Sequence, residues 1–196
     1  MFIRTESFRE FIRYYPVVSS IIAIQIILYL LTELPFFPNA LLFERLSGIN
    51  LYIWGGEWWR LITPIFMHSG FTHVLFNSFS LILFGPGLER ILGKFKFIAI
   101  YLITGVSANI ATLLIEPVTY IHVGASGSIF GLFGMYISIT LYRKHLLSSD
   151  NRQLIITIAV LSIIMTFLQT NINIIAHLFG FLSGFLIGVL TLRKRG

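Results

Sequence analysis

Five stretches without a single Asp, Glu, Lys or Arg, at residues 14–32, 61–88, 97–115, 117–142 and 153–192, dominate this 196-residue sequence. A hydrocarbon core takes about 20 residues of helix to cross, so the first four runs hold one span each. The last is twice as long and is broken by Gln169-Thr170-Asn171-Ile172-Asn173, which reads as a turn between two spans. Six spans follow, at about 16–34, 68–86, 97–115, 125–142, 153–168 and 174–192. Composition agrees: 56% of residues are hydrophobic and 11% charged, far less charge than a soluble domain of this size carries. The expected architecture is an all-α integral membrane protein with a six-transmembrane-helix bundle at 16–192, a segment 1–15 before it and a short basic tail at 193–196.

A net charge of +6 would suit a nucleic-acid partner, but the basic residues lie in short clusters between apolar spans. That is a topology signal, and no nucleic acid is expected. Arg4, Arg9 and Arg13 precede the first span, and Arg90, Lys94 and Lys96 follow the second. Arg143, Lys144 and Arg152 follow the fourth, and Arg193, Lys194 and Arg195 follow the sixth. These make twelve of the 14 basic residues, leaving Arg45 and Arg60 on the other side. The positive-inside rule then predicts a multi-pass protein of the cell membrane with both termini in the cytoplasm. The first span is too long for a signal peptide, and no small-residue cleavage site follows it. Phe8, Phe11, Ile12 and Tyr15 have helical spacing, as expected of a segment lying along a membrane surface. Absence of cysteine rules out disulfides and thiolate metal sites.

The loop at 35–67 carries Phe36, Phe37, Trp54, Trp58 and Trp59 among other apolar residues, too many for a solvated linker. It is expected to lie partly embedded in the outer leaflet, since Trp and Tyr favour the headgroup zone.

Spans two, four and six all begin at the external surface on this topology, and each carries polar residues near its start. Span two has His68, His73 and Asn77; span four has Ser126; span six has His177, preceded by Asn171 and Asn173. A group four to seven residues into a helix lies roughly 6–10 Å below its start, so these groups can share one layer. Ionisable side chains at that depth face water or one another. Glycine repeats specify how the helices meet: Gly180, Gly184 and Gly188 on span six, Gly127, Gly131 and Gly134 on span four. Small-residue faces let backbones touch, which would bring Ser126 and His177 to the same end of one contact. A serine becomes nucleophilic when a base lies within reach, and neutral imidazole suits that task near pH 7. His73 and Asn77, four residues apart on one helix face, are donors of the kind that stabilise an oxyanion, beside the Ser126 backbone N–H. All eight acidic residues flank the spans or lie in loops, so a Ser–His dyad fits better than a triad.

These motifs resemble the rhomboid family of intramembrane serine proteases: His68-x4-His73-x3-Asn77, Gly124-Ala125-Ser126-Gly127 and His177-x2-Gly180-x3-Gly184, in that order and on the second, fourth and sixth helices. Trp59-Arg60 and Glu89-Arg90 resemble the family's loop pair and its acidic-basic pair after the second helix. The resemblance covers about residues 16–192 and implies a rhomboid-like bundle, with the six-helix core common in bacterial members. It implies Ser126 as nucleophile, His177 as base, His73 and Asn77 at the oxyanion, and His68 and Gly124 as supporting residues. Trp59 and Arg60 would shape the loop, and Glu89 would be structural. Phe130 stands where some members carry a tyrosine packed on the histidine, so stacking is expected without the hydroxyl's hydrogen bond. Substrates would be transmembrane proteins in the lipid bilayer, cleaved at a site open to the extracytoplasmic side, with no metal or other cofactor. Competing readings are an inactive rhomboid-like binding factor, a histidine-relay transporter and a zinc protease. The last lacks H-E-x-x-H, and the His68–His73 spacing does not put both rings on one helix face.

Overall fold

The computed structural model describes residues 5–170 and 172–192. Arg4, Asn171 and the basic tail Arg193, Lys194 and Arg195 lie outside the described residues. In chain order come helices α1 (Phe8–Tyr14), α2 (Pro16–Glu33) and α3 (Asn39–Leu46), strand β1 (Gly48–Ile49) and helix α4 (Asn50–Trp54). Two 3-10 turns, Trp58–Leu61 and Thr63–Phe66, lead to α5 (Phe71–Leu92) and α6 (Lys94–Ile115). Strand β2 (Ile121–His122), α7 (Ser126–Tyr142), a 3-10 turn at Lys144–Leu146, α8 (Ser149–Leu168) and α9 (Ile174–Leu192) complete it. Helices α2, α5, α6, α8 and α9 are long and apolar enough to cross a membrane, and α7 is a shorter apolar helix. The chain is a multi-pass, all-α membrane bundle.

Short α7 is the centre of that bundle. Of its 17 residues, 13 are buried, against four on α2 and three on α8. A helix hidden on every side needs neighbours at close range, and glycine supplies them. A methyl at Gly180 would strike the Gly127 carbonyl, one at Gly184 the Gly131 carbonyl, and one at Gly134 the Phe181 carbonyl. Helices α7 and α9 therefore touch backbone to backbone, which contributes dispersion where lipid offers no hydrophobic drive. On α7's other flank, Gly131 meets Thr104 and Gly127 meets Ala108 of α6. Peripheral α2 and α8 present most of their apolar surface outward.

Two helix ends depart from the runs read in the sequence. Helix α5 starts at Phe71 rather than 68, because Gly70 has φ +139° and interrupts the backbone. His68, expected on this helix, thus precedes it. At its other end α5 continues to Leu92 and takes in Glu89 and Arg90, expected after the helix. Glu89 is 3% exposed, and its carboxylate accepts the Val17 and Val18 N–H groups at 3.1 and 3.0 Å. Those donors open α2, which begins with Pro16 and has no side-chain cap of its own. One carboxylate thus satisfies another helix's orphan N–H groups and sits at the positive end of its dipole.

The segment before α5 folds as a lobe. Arg60 is 1% exposed at its centre. It pairs with Glu57 at 2.6 Å, donates to the carbonyls of Ser47 (2.8 Å) and Glu44, and lies over the Tyr52 ring. Trp59 donates its indole N–H to the Arg45 carbonyl. Strand β1 pairs antiparallel with β2, Gly48 opposite His122, and Asn50 donates to the carbonyls of Thr112, Glu116 and Pro117 that end α6. The lobe is thereby sewn to the α6–α7 connection. Leu51, Trp54, Trp58 and Trp59 remain exposed on its outer face.

Candidate active site

A cavity of about 900 Å³ lies where α5, α7 and α9 begin and α8 ends. Its polar wall includes His73, Asn77, Ser126, Thr166, Asn173 and His177; Phe76, Phe84, Phe130, Phe133 and Met165 form much of the remainder. No Asp or Glu lines it among the described residues.

Ser126 is the first residue of α7 and is half-buried. The first intrahelical bond runs from Ile129 N–H to the Ala125 carbonyl, and no side chain caps the helix. The N–H groups of Ser126, Gly127 and Ser128 therefore have no carbonyl within α7 to bond, which makes this helix start receptive to negative charge. Gly124 sets the approach to it. Its φ is +128°, its N–H donates to the Pro64 carbonyl at 2.8 Å, and a side chain there would run into the His73 ring at Nε2. Glycine is needed twice over at this position: for its backbone conformation and for the imidazole beside it.

His73 and Asn77 project from the first two turns of α5. Ser69 Oγ lies 3.4 Å from His73 Nδ1, and Asn77 Nδ2 donates to the His73 carbonyl at 2.9 Å. An amide nitrogen carries two hydrogens, so one remains for a ligand. His68 is fully buried outside the helix and meets His73 edge-to-face at 4.9 Å.

His177 stands on the fourth residue of α9, a helix capped by Asn173, whose Oδ1 accepts Ala176 N–H at 2.9 Å. Asn173 Nδ2 also donates to Thr112 Oγ1 of α6, fixing the start of α9 to the central helices. Phe130 stacks on the His177 ring, with centroids 4.1 Å apart and planes 14° from parallel. Thr166 Oγ1 lies 2.9 Å from His177 Nδ1. Gly127, next to Ser126, touches Gly180, three residues after His177. The hydroxyl and imidazole thus flank one of the close backbone contacts between α7 and α9 and share the cavity. Among the described residues no hydrogen bond joins them directly; such bonds are often long until a ligand is bound.

The sequence reading missed Thr166, since one hydroxyl within an apolar run carries no signal of its own. It also passed over His122, another buried histidine of the cavity wall, on strand β2. Burial pushes the His122 imidazole down to about 4. Among the described residues, no group of three His, Asp or Glu side chains is placed to hold a metal ion.

Apolar helices packed on glycine faces around a polar-lined cavity near one end define a polytopic membrane protein with an intramembrane polar chamber. More particularly, the chain belongs to the rhomboid family: the family model described as "Rhomboid domain" matches residues 55–194. "Putative rhomboid protease YdcA" of Bacillus subtilis is 50% identical over 195 residues, 100% of this chain and 98% of that protein. "Rhomboid protease GluP" of the same organism is 36% identical over 136 residues, 69% of this chain but 26% of GluP. "Rhomboid-like protease 1" of Toxoplasma gondii is 33% identical over 165 residues, covering 81% of this chain and 56% of the relative. The chain therefore spans nearly all of the first relative, a quarter of the second and just over half of the third.

Proposed function

We propose that the chain is an intramembrane serine endopeptidase that hydrolyses peptide bonds in or beside transmembrane segments of other membrane proteins. The observation that carries this reading is the shared cavity of Ser126, His177, His73 and Asn77 within an apolar helical bundle. His177 Nε2 removes the Ser126 proton as Oγ attacks the substrate carbonyl. The tetrahedral oxyanion lies against the Ser126 N–H, the free Asn77 amide hydrogen and His73. Collapse expels the amine, which takes the proton back from His177, and leaves an acyl group on Ser126. Water then attacks the ester with His177 as base, releasing the second product and restoring the hydroxyl. Lipid excludes that water, so the polar chamber is a requirement of the chemistry. A substrate helix must also unwind at the scissile bond, because its amides are engaged while helical and unpaired backbone is costly in lipid.

By the positive-inside argument, the chamber opens to the extracytoplasmic side and both termini lie in the cytoplasm. The test compares the purified chain with Ser126→Ala and His177→Ala in liposomes, on a reporter containing a transmembrane segment. Both variants insert normally and lose detectable cleavage, and a fluorophosphonate labels the chain only when Ser126 is present. Asn77→Ala lowers kcat by about a hundredfold, the usual loss of one oxyanion donor. Cleavage that persists in Ser126→Ala rejects the mechanism. Reporter binding without cleavage by the unmutated chain would instead favour the inactive binding factor.

A further inference from the structure

We propose that Thr166 is a positioning residue that holds His177 in the tautomer able to accept the Ser126 proton; this rests on the Ser126–His177 reading above. Thr166 is 1% exposed and, with Ile155 and Ala159, is one of three buried residues on an otherwise outward-facing α8. Its Oγ1 has two neighbours: the Ser162 carbonyl at 2.8 Å and His177 Nδ1 at 2.9 Å. A hydroxyl has one hydrogen and two lone pairs. Threonine in an apolar helix commonly gives that hydrogen to the carbonyl four residues back, and here that carbonyl is Ser162. Only lone pairs then face His177, so the imidazole must present Nδ1–H to them. The second ring nitrogen, Nε2, is left bare and basic. Which nitrogen carries the proton is decided by the bond the other makes.

Among the described residues no other hydrogen bond reaches the ring to make that choice. Phe130 fixes the plane of the imidazole by stacking but has no polar atom to select a tautomer. No carboxylate lines the chamber among the described residues. Thr166 thus supplies the orienting half of what a triad carboxylate supplies, without placing a charge in a low-dielectric site. The bond also crosses from α8 to α9, so the base has its correct tautomer only while α8 is docked.

The test uses the full chain in liposomes with Thr166→Ser, which keeps the hydroxyl, and Thr166→Val, which keeps the shape. Thr166→Ser retains kcat within about threefold, whereas Thr166→Val lowers it about tenfold with KM and melting temperature little changed, as expected when one tautomer-selecting hydrogen bond is lost. Ring-15N histidine labelling, with His177→Asn to assign the signal, reads the tautomer without relying on activity, and in the unmutated chain without relying on the Thr166 variants folding. The unmutated chain shows the proton on Nδ1, and Thr166→Val moves population to Nε2. Equal losses in the Ser and Val variants, a Val variant within twofold of the unmutated chain, or a proton on Nε2 in the unmutated chain each overturns the proposal. Ser126→Ala separates the two claims. Activity surviving there sinks the dyad itself, whereas an inactive Ser126→Ala beside a fully active Thr166→Val sinks only the role of Thr166.

Discussion

A carboxylate buried inside a membrane bundle persists only where donors surround it, and Glu89 meets that condition with two backbone N–H groups from α2. Glu89→Ala leaves both donors, one buried and one part-buried, without their acceptor beside a small cavity, at a cost of about 3 kcal/mol. Glu89→Gln costs less: its carbonyl still accepts one bond, but its NH2 faces donors. Unfolding by steric trapping or SDS titration measures the difference, and an Ala variant as stable as the unmutated chain would refute the capping role. The same scale shows what the letters could and could not convey. That Ser126, His73, Asn77 and His177 meet in one cavity was legible because ionisable and hydroxyl groups at matching depths in three apolar runs are expensive unless they meet. His68 was misplaced onto α5, since the φ of Gly70 that ends the preceding segment is a property of the folded backbone. Thr166 was illegible for a different reason: its proton donation to Ser162 is ordinary, and only the position of His177 gives the leftover lone pairs a use.

Helices carry the next level of information, and the glycine stripes were its clearest sign. At Gly184 a methyl would collide with the Gly131 carbonyl, a backbone atom that cannot swing aside. Gly184→Ala therefore forces α7 and α9 apart, costs about 1–3 kcal/mol as overpacking does, and lowers kcat by separating Ser126 from His177. Gly56, at φ +102° with open space around it, is the control. Alanine there carries only backbone strain of about 1–2 kcal/mol and leaves kcat unaltered. Equal kinetic effects at the two positions would remove the link between the stripe and the site. Element length matters as well. Seventeen residues make α7 about 25 Å long, short of a hydrocarbon core of about 30 Å, so its first residue can sit below the surface. The extent of α7, expected at about 125–142, was visible in the sequence. The true extent of α5 was not, because an uncharged-run criterion stops at Glu89, and only its partner donors on α2 allow the helix to carry that charge inside.

At the level of the whole molecule, the proposed function asks the chamber to admit a substrate that is itself a transmembrane helix, and its walls suggest a route. Helix α5 contributes Phe76, Asn77, Ser80 and Phe84; α8 contributes Ile158, Ser162 and Met165, with Gln169 directly after it. The chamber lies between these two helices, and α8 has the fewest buried residues of the six large helices. By contrast α7, α9 and α6 are locked by glycine contacts, and the lobe before α5 is fastened through Arg60, Asn50 and the β1–β2 pair. On that reading lateral admission would fall to α8. Because the chain has no cysteine, Phe76→Cys with Met165→Cys places a unique pair on the facing walls, joined by a short bifunctional thiol reagent. Cross-linking stops cleavage of a membrane-spanning reporter, and the same double variant without reagent stays active. A short soluble peptide, arriving from the open end of the chamber, is still cleaved after cross-linking, which shows that the catalytic groups are intact. Unchanged turnover of the membrane-spanning reporter would place its path elsewhere. Loss of both activities would indicate that α8 must move for the chemistry as well as for admission, as its bond to His177 through Thr166 would require if that bond were remade in each cycle.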